Sequence, residues 1–463
     1  MNDGDTIYLD GGTYVNDAVK WEKKNLKFIG MGTSQNPTVM KYTGDISNGK
    51  GIWVFEQPGV SDNAYIENIT FDGAQVSDGN GGNGAGIRYQ SVNLHIRNCC
   101  FVNCQNGILE GGNYNGSQVI IENSEFSNNG YNGSNSSYIG YEHHIYISAN
   151  TDSFVVMNCH FHDPRGQANS LKTRAQRSYI LYNLIDEASG NGSWELNIAQ
   201  GGMLVVIGNV IIQGPSGANH GIIGWDAVTN PLEELYFINN TVINKFAGNV
   251  RFVNVSPVSD ITAFKFYNNI FASTTGASNT LFSGNIPAVL DTSNNLFIPN
   301  FVSFNFANST DGDFNLLASA TTAIDHGANP GQTSTGYNLA PAFMFQSDTL
   351  PLLQRNISGA AIDIGAYEYG FPTFLSNEMQ NQLAISVFPN PMRKEAIIEM
   401  MANDLLDGMN FSLYNVQGQV VMKDIPLVLK KTKITAENLP LGIYLYKVIR
   451  HGEMIVTGKI VLE

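Results

Sequence analysis

Through most of the chain, apolar residues come in short bursts rich in Ile, Val, Phe and Tyr, each cut off by Gly, Asn or Ser. Bursts of this length are too short for helices and read as strands between turns. A fixed frame recurs: an Asn follows an apolar or mixed pair and precedes another short strand. It occurs at Asn68 (YIENITF), Asn98 (HIRNCCF), Asn123 (IIENSEF), Asn158 (VVMNCHF), Asn183 (ILYNLI), Asn209 (VIGNVI), Asn240 (FINNTVI), Asn269 (FYNNIF) and Asn295 (TSNNLF). Successive occurrences are 25 to 35 residues apart, as from Asn98 to Asn123 and from Asn123 to Asn158. Propeller blades would need about 40–45 residues each, and helical repeats would need long stretches of apolar residues at helical spacing. The pattern therefore predicts a solenoid of coils with two or three short strands each, every coil burying its inner face against its neighbours. One Asn per coil, stacked at a corner, can bond its amide to the coils above and below and tolerates the left-handed backbone of a tight turn.

From Phe371 the grammar changes. The Asn frame stops, and nine of the 25 Lys and Arg residues lie beyond Glu378. Alternating segments follow at LAISVFPNPMRKEAIIEM, MNFSLYNVQGQVVMKD, TKITAENLPLGIYLYKVIR and MIVTGKIVLE, bounded by Gly, Asn or Pro. They predict a small antiparallel β-sandwich over 384–463, joined by a linker at 371–383 to a solenoid over 1–370.

Composition narrows the function classes. With 463 residues, the chain exceeds one ordinary compact core. A net charge of −15 opposes nucleic-acid binding, which depends on Lys and Arg neutralising phosphates, and fits a soluble extracellular protein. No apolar run approaches the roughly 20 residues that span a bilayer. The opening MNDGDTIYLDGG has neither the basic nor the apolar region of a secretory signal, so that signal is expected to be absent from the chain as given. Cys99, Cys100, Cys104 and Cys159 follow no zinc or disulfide spacing and are expected to be inert core thiols.

Two resemblances sharpen the reading. The opening DGDTIYLDGGTYV, the later LKFIG, and the segments AIDHGAN (323–329) and AAIDIGAYEYG (360–370) resemble the first coils and closing segment of pectate-lyase-like proteins. That resemblance implies an all-β chain with a right-handed parallel β-helix over 1–370. At the other end, FPNP (388–391), YNVQGQV (414–420), LPLGIYLYKV (439–448) and the GKIVLE tail resemble the C-terminal sorting domain of type IX secretion substrates. It implies delivery to the medium or the cell surface, the secretion machinery as a partner, and cleavage of the sorting domain on arrival.

Candidate chemistry concentrates between Glu142 and Gln200. Between Arg97 and Lys245 the only Lys and Arg residues are Arg165, Lys172, Arg174 and Arg177. Aligning HIYISAN (144–150), SLKTRAQ (170–176), SWELNIA (193–199), HGIIGWDA (220–227) and NVRFVNV (249–255) by coil, strict alternation points Ile145, Ile147, Leu171, Thr173, Trp194, Leu196 and Ile198 inward. His144, Tyr146, Lys172, Arg174, Glu195, Asn197 and Arg251 then face outward, with Tyr146, Lys172 and Glu195 stacked. These groups suit β-elimination from an acidic sugar, which needs a cation on the uronate carboxylate, a base for the adjacent proton and an acid for the leaving oxygen. The expected roles are Lys172 as base, Arg174 as neutraliser, and Tyr146 or His144 as acid. Glu195, Asn197, Arg165, Arg177, Asp226 and Arg251 are the expected contacts to an acidic polysaccharide. Arg174 would lower the Lys172 pKa and Glu195 would raise it.

The run Asn169-Ser-Leu-Lys172, with Tyr182-Asn183 at the next corner, is similar to the Lys-bearing coil of alginate lyase and chondroitinase B type polysaccharide lyases. This resemblance also implies Lys172 as the base. Asn197 stands where those enzymes carry an Arg, and Arg165 and Gln167 stand where they carry calcium-binding carboxylates, so a calcium ion lacks its expected ligands. His143, His144, His160 and His162 do not converge as a three-ligand site requires, and no metal site is expected. Two other readings stay open: a non-catalytic adhesin or glycan-binding solenoid, and a glycoside hydrolase using Glu195 and Asp226. The runs GNGGNGAG (79–86) and GGNYNG (111–116) read as loops walling a groove, with Tyr114, Tyr131, Tyr138 and Tyr141 available for stacking. A monomer is expected.

Overall fold

The computed structural model describes residues 1–370 apart from 57–61, 91–92, 112–114, 188–189, 257–259, 275, 278, 285 and 348–350. Beyond them it describes 385–462 apart from 389–391, 401–408, 416–419, 428–430, 437–438, 441 and 451–452. The proposed linker and Tyr114 lie outside the described residues. The chain divides into two compact units, Met1–Phe371 and Pro372–Glu463.

The first unit is a parallel β-helix. Each coil lays one strand into each of three sheets, and the sheets hold eleven, eleven and ten strands. The first sheet runs from Thr6–Leu9 to Leu290–Ser293, the second from Gly12–Val15 to Leu296–Ile298, and the third from Val19–Trp21 to Asn279–Gly284. Like residues stack along the interior because every coil repeats the register of the last. Phe71, Phe101, Phe126 and Phe161 form a file of near-parallel rings with centroids 5.1, 4.8 and 4.9 Å apart.

The Asn frame resolves into two ladders, one residue apart. The corner residue between the first and second sheets takes the left-handed conformation: Asn68, Asn98, Asn123 and Asn158 have φ between 49° and 58°. Tyr182 and Gly208 occupy that corner in the next two coils, followed by Asn239, Asn268 and Asn294. The following residue points inward, and from Asn183 onward it too is Asn. Asn183, Asn209, Asn240 and Asn269 are fully buried. Asn209, Asn240 and Asn269 each accept at Oδ1 from the backbone N–H and the Nδ2 of the Asn one coil earlier, as Asn209 does from Asn183 at 2.8 and 3.0 Å, while Asn183 accepts from the Cys159 N–H at 2.9 Å. A shared sequence frame had merged these two rows into one. Cys99 and Cys159 occupy the inner row in earlier coils and are buried, as is Cys104, so three of the four cysteines are core thiols; Cys100 is only partly buried, with its Sγ 3.7 Å from the Glu125 carboxylate. Burial pushes the Cys99 and Cys104 thiols up to about 12.

The segment after the last coil folds back as cover. Phe301, Phe306, Phe314, Leu316 and Ile364 pack on the outer face of the second sheet at Val210, Ile212, Ile243 and Ile270. Leu339, Tyr337 and Leu352 pack on the first sheet at Met203, Val205 and Tyr236. The two closing motifs hold this cover: the Asp363 carboxylate accepts from the N–H groups of Asp325 and Tyr369. Arg355 is ion-paired to Glu368 at 3.0 Å with both side chains fully buried. Among the described residues, neither covering cluster reaches the third sheet.

The second unit contains a three-stranded and a four-stranded antiparallel sheet. Its own core includes Met392, Ile398, Phe411, Leu413, Val448 and Ile460.

Candidate functional site

The outward face of the third sheet is the polar face that, among the described residues, the folded-back segment leaves free. Its strands His143–Ile147, Asn169–Thr173, Leu196–Ile198, Gly221–Trp225 and Val250–Val255 align Tyr146 with Lys172, Lys172 with Asn197, Asn197 with Gly224 and Gly224 with Asn254. A parallel outward row runs from His143 to Asn169, and by the same offset to Trp194, Gly221 and Arg251. Lys172, Arg174 and Tyr146 come together: the Lys172 Nζ lies 5.9 Å and the Arg174 Cζ 5.8 Å from the Tyr146 ring centroid. His143 lies beneath them, its ring 5.9 Å from that of Tyr146.

Burial lowers the pKa of the half-buried Lys172, the nearby Arg174 lowers it further, and Asp226 opposes both. His143 is held neutral by burial and by the cations Lys172 and Arg174. Asn197 donates to Asp226 at 2.6 Å.

Several expected placements are corrected. His144 and Glu195 point into the solenoid rather than out of it. His144 is fully buried, its ring against Phe126 and Phe161 and its Nδ1 3.0 Å from Asn129 Nδ2. Glu195 is 3 % exposed, so it neither stacks on Lys172 nor meets a polymer. The physical reason is a bend at the start of each strand in this sheet. His144 and Ile145 are consecutive and both fully buried, which strict alternation forbids. Pairing skips this position in coil after coil: Asn106 pairs with Ala85 and Ile108 with Ile87, while Gly107 is bypassed. Trp194, expected inward, is half-exposed on the outer face for the same reason.

Arg165 and Arg177 lie elsewhere. Arg165 donates to the carbonyls of Gly130 and Asn103 at the corner between the second and third sheets. Arg177 sits on the first sheet, paired with Asp152. Asp226 and Arg251 are exposed on the third-sheet side. Tyr131 is buried and donates to Asp78, and the Tyr138 hydroxyl donates to the Asp78 carbonyl, so the two brace their loop. Tyr141 is 73 % exposed.

Inside the corner, burial raises the pKa values of both Glu195 and Glu187; the Glu187 charge raises Glu195 further, and Asp186 raises Glu187. A carboxyl whose folded pKa is raised contributes stability below its unfolded value of about 4.3 and loses it as pH rises towards the folded value. Glu195→Gln is therefore expected to raise the unfolding temperature at pH 8 and to leave it unchanged at pH 4. A thermal melt at the two pH values checks this.

Among the described residues no group of three or more His, Cys, Asp and Glu is placed to hold a metal ion. No helix among them is long and apolar enough to cross a membrane.

Comparison with known proteins assigns the second unit. Residues 386–463 match the family model of the secretion system C-terminal sorting domain. No curated protein matches the chain. The chain is thus a parallel β-helix carrying a type IX secretion sorting domain. It is a secreted or cell-surface protein whose C-terminal unit implies interaction with the type IX machinery.

Proposed function

We propose that the outward face of the third sheet cleaves a uronate-containing polysaccharide by β-elimination. The observation that carries this reading is the half-buried Lys172, with lowered pKa, beside Arg174 and Tyr146 on the face left uncovered. Arg174 pairs with the uronate carboxylate and makes the adjacent carbon acid stronger, and its planar fork suits a carboxylate. Neutral Lys172 takes the proton next to that carboxylate. The electron pair forms the carbon–carbon double bond as the glycosidic C–O bond breaks, and the Tyr146 hydroxyl protonates the departing oxygen. His143, and not His144, is the histidine beside these groups.

Arg174→Ala is expected to lower kcat/KM by about 10- to 100-fold, the worth of one charge-assisted hydrogen bond. It also removes a cation from beside Lys172, so the Lys172 pKa rises and the acidic limb of the rate profile, set by the base, moves to higher pH. A pH–rate series on both proteins tests this, and an unshifted limb would separate Lys172 from the proton transfer.

A non-catalytic glycan-binding face is the second reading, favoured by Asn197 standing where a catalytic Arg is expected. It predicts saturable, salt-sensitive binding without new chain ends. The hydrolase reading has lost its residue pair, because Glu195 is buried inside the solenoid.

A further inference from the structure

Beside Lys172 the face changes character over one coil. Trp194 lies flat over the strand Gly221–Trp225: a Cβ on Gly221 would strike its six-membered ring, and one on Gly224 would come within 3.1 Å of it. Both positions are glycine in the sequence, and any side chain there would push the indole off the floor. The same virtual Cβ on Gly224 lies 3.3 Å from Asn197 Nδ2, so indole and amide share one floor. Asn197 in turn donates to the exposed Asp226. Trp194 is half-exposed just ahead of the strand Leu196–Ile198, whereas Trp225 is fully buried on the inner side of the same sheet.

We propose that Trp194, Asn197 and Asp226 form a subsite for an uncharged sugar next to the uronate subsite at Lys172 and Arg174, so that the preferred glycan alternates an acidic with a neutral residue. The inference rests on the lyase reading for its neighbouring subsite. An indole face takes up the apolar face of a sugar ring. The Asp226 carboxylate, an acceptor only, takes hydrogen bonds from sugar hydroxyls. It repels a second uronate placed on Trp194, where the nearest coils are only about 4.8 Å apart. A homopolymer of uronates would meet favourable charge at Lys172 and unfavourable charge one step along.

The test uses the full chain with two probes: a polymer alternating glucuronate with N-acetylglucosamine, and polygalacturonate. Binding is read by tryptophan fluorescence with the Lys172→Ala variant, and turnover by absorbance of unsaturated product with the native protein. The expected result is at least tenfold tighter binding of the alternating polymer, with a fluorescence change lost in Trp194→Phe. Asp226→Asn should narrow the difference by strengthening polygalacturonate binding. Equal binding of both probes, binding of neither, or a preference unmoved by Asp226→Asn would overturn the subsite. Absence of unsaturated product from either probe, with the binding preference intact, would overturn the lyase reading and leave the subsite standing.

Discussion

Lys172→Ala is expected to lower turnover of the native glycan by at least about 10³-fold, within the range a positioned general base contributes. The fold should be unaffected, since Lys172 is on the outer face and the strand's inward contacts come from Leu171 and Thr173. Lys172→Arg is the more telling companion. It keeps the positive charge but not the base, because a guanidinium does not deprotonate in proteins. If Lys172 only neutralised the uronate, Arg would restore most of the activity. If Lys172 takes the proton, both variants are equally inactive. Steady-state rates of the three proteins on one polymer, with circular dichroism to confirm folding, separate the two cases.

The second large effect is structural. Asn209 is fully buried, and its amide serves four partners: it accepts from Asn183 and donates to the carbonyls of Ile180 and Ile207 and to Asn240 Oδ1. Asn209→Ala leaves several of these groups buried and unpaired at about 1–3 kcal/mol each. A loss of roughly 3 kcal/mol or more follows, with Asn183 and Asn240 stranded on either side. At the outer ladder, Asn98→Gly keeps the left-handed corner and removes one exposed amide bond to Asn68, so a loss under about 1 kcal/mol is expected. Urea unfolding of both variants checks the contrast, and similar losses would mean that the inner row does not bear the corner.

Much of this was legible in the chain. The spacing of Asn residues, with short β-rich bursts between them, carried the solenoid, because coils that repeat must repeat their corners. The ladder came out double because Asn serves two distinct needs one residue apart, a left-handed backbone at Asn158 and a buried amide at Asn183. A frame built on residue identity cannot separate them. The pairing of Lys172 with Tyr146 followed from alternation in the half of the strand that keeps it. His144, Glu195 and Trp194 fell on the wrong side because alternation fails at the bend before Ile145, Leu171 and Leu196, and nothing in an isolated strand announces a bend. One signal was available: Gly86 and Gly107 occupy the bent position in earlier coils, where a Cβ would meet Phe101 and Phe126 inside the core. That the free face is the third one depended on where the closing segment folds back, which is a long-range matter that no local pattern encodes.

The most direct test of the central claim is ultraviolet absorbance while the full chain is incubated with uronate polysaccharides, alongside Lys172→Ala. A rising signal from unsaturated chain ends, absent in the variant, is the predicted result. Chain cleavage without that signal, or a rise that persists in Lys172→Ala, would contradict elimination at this face.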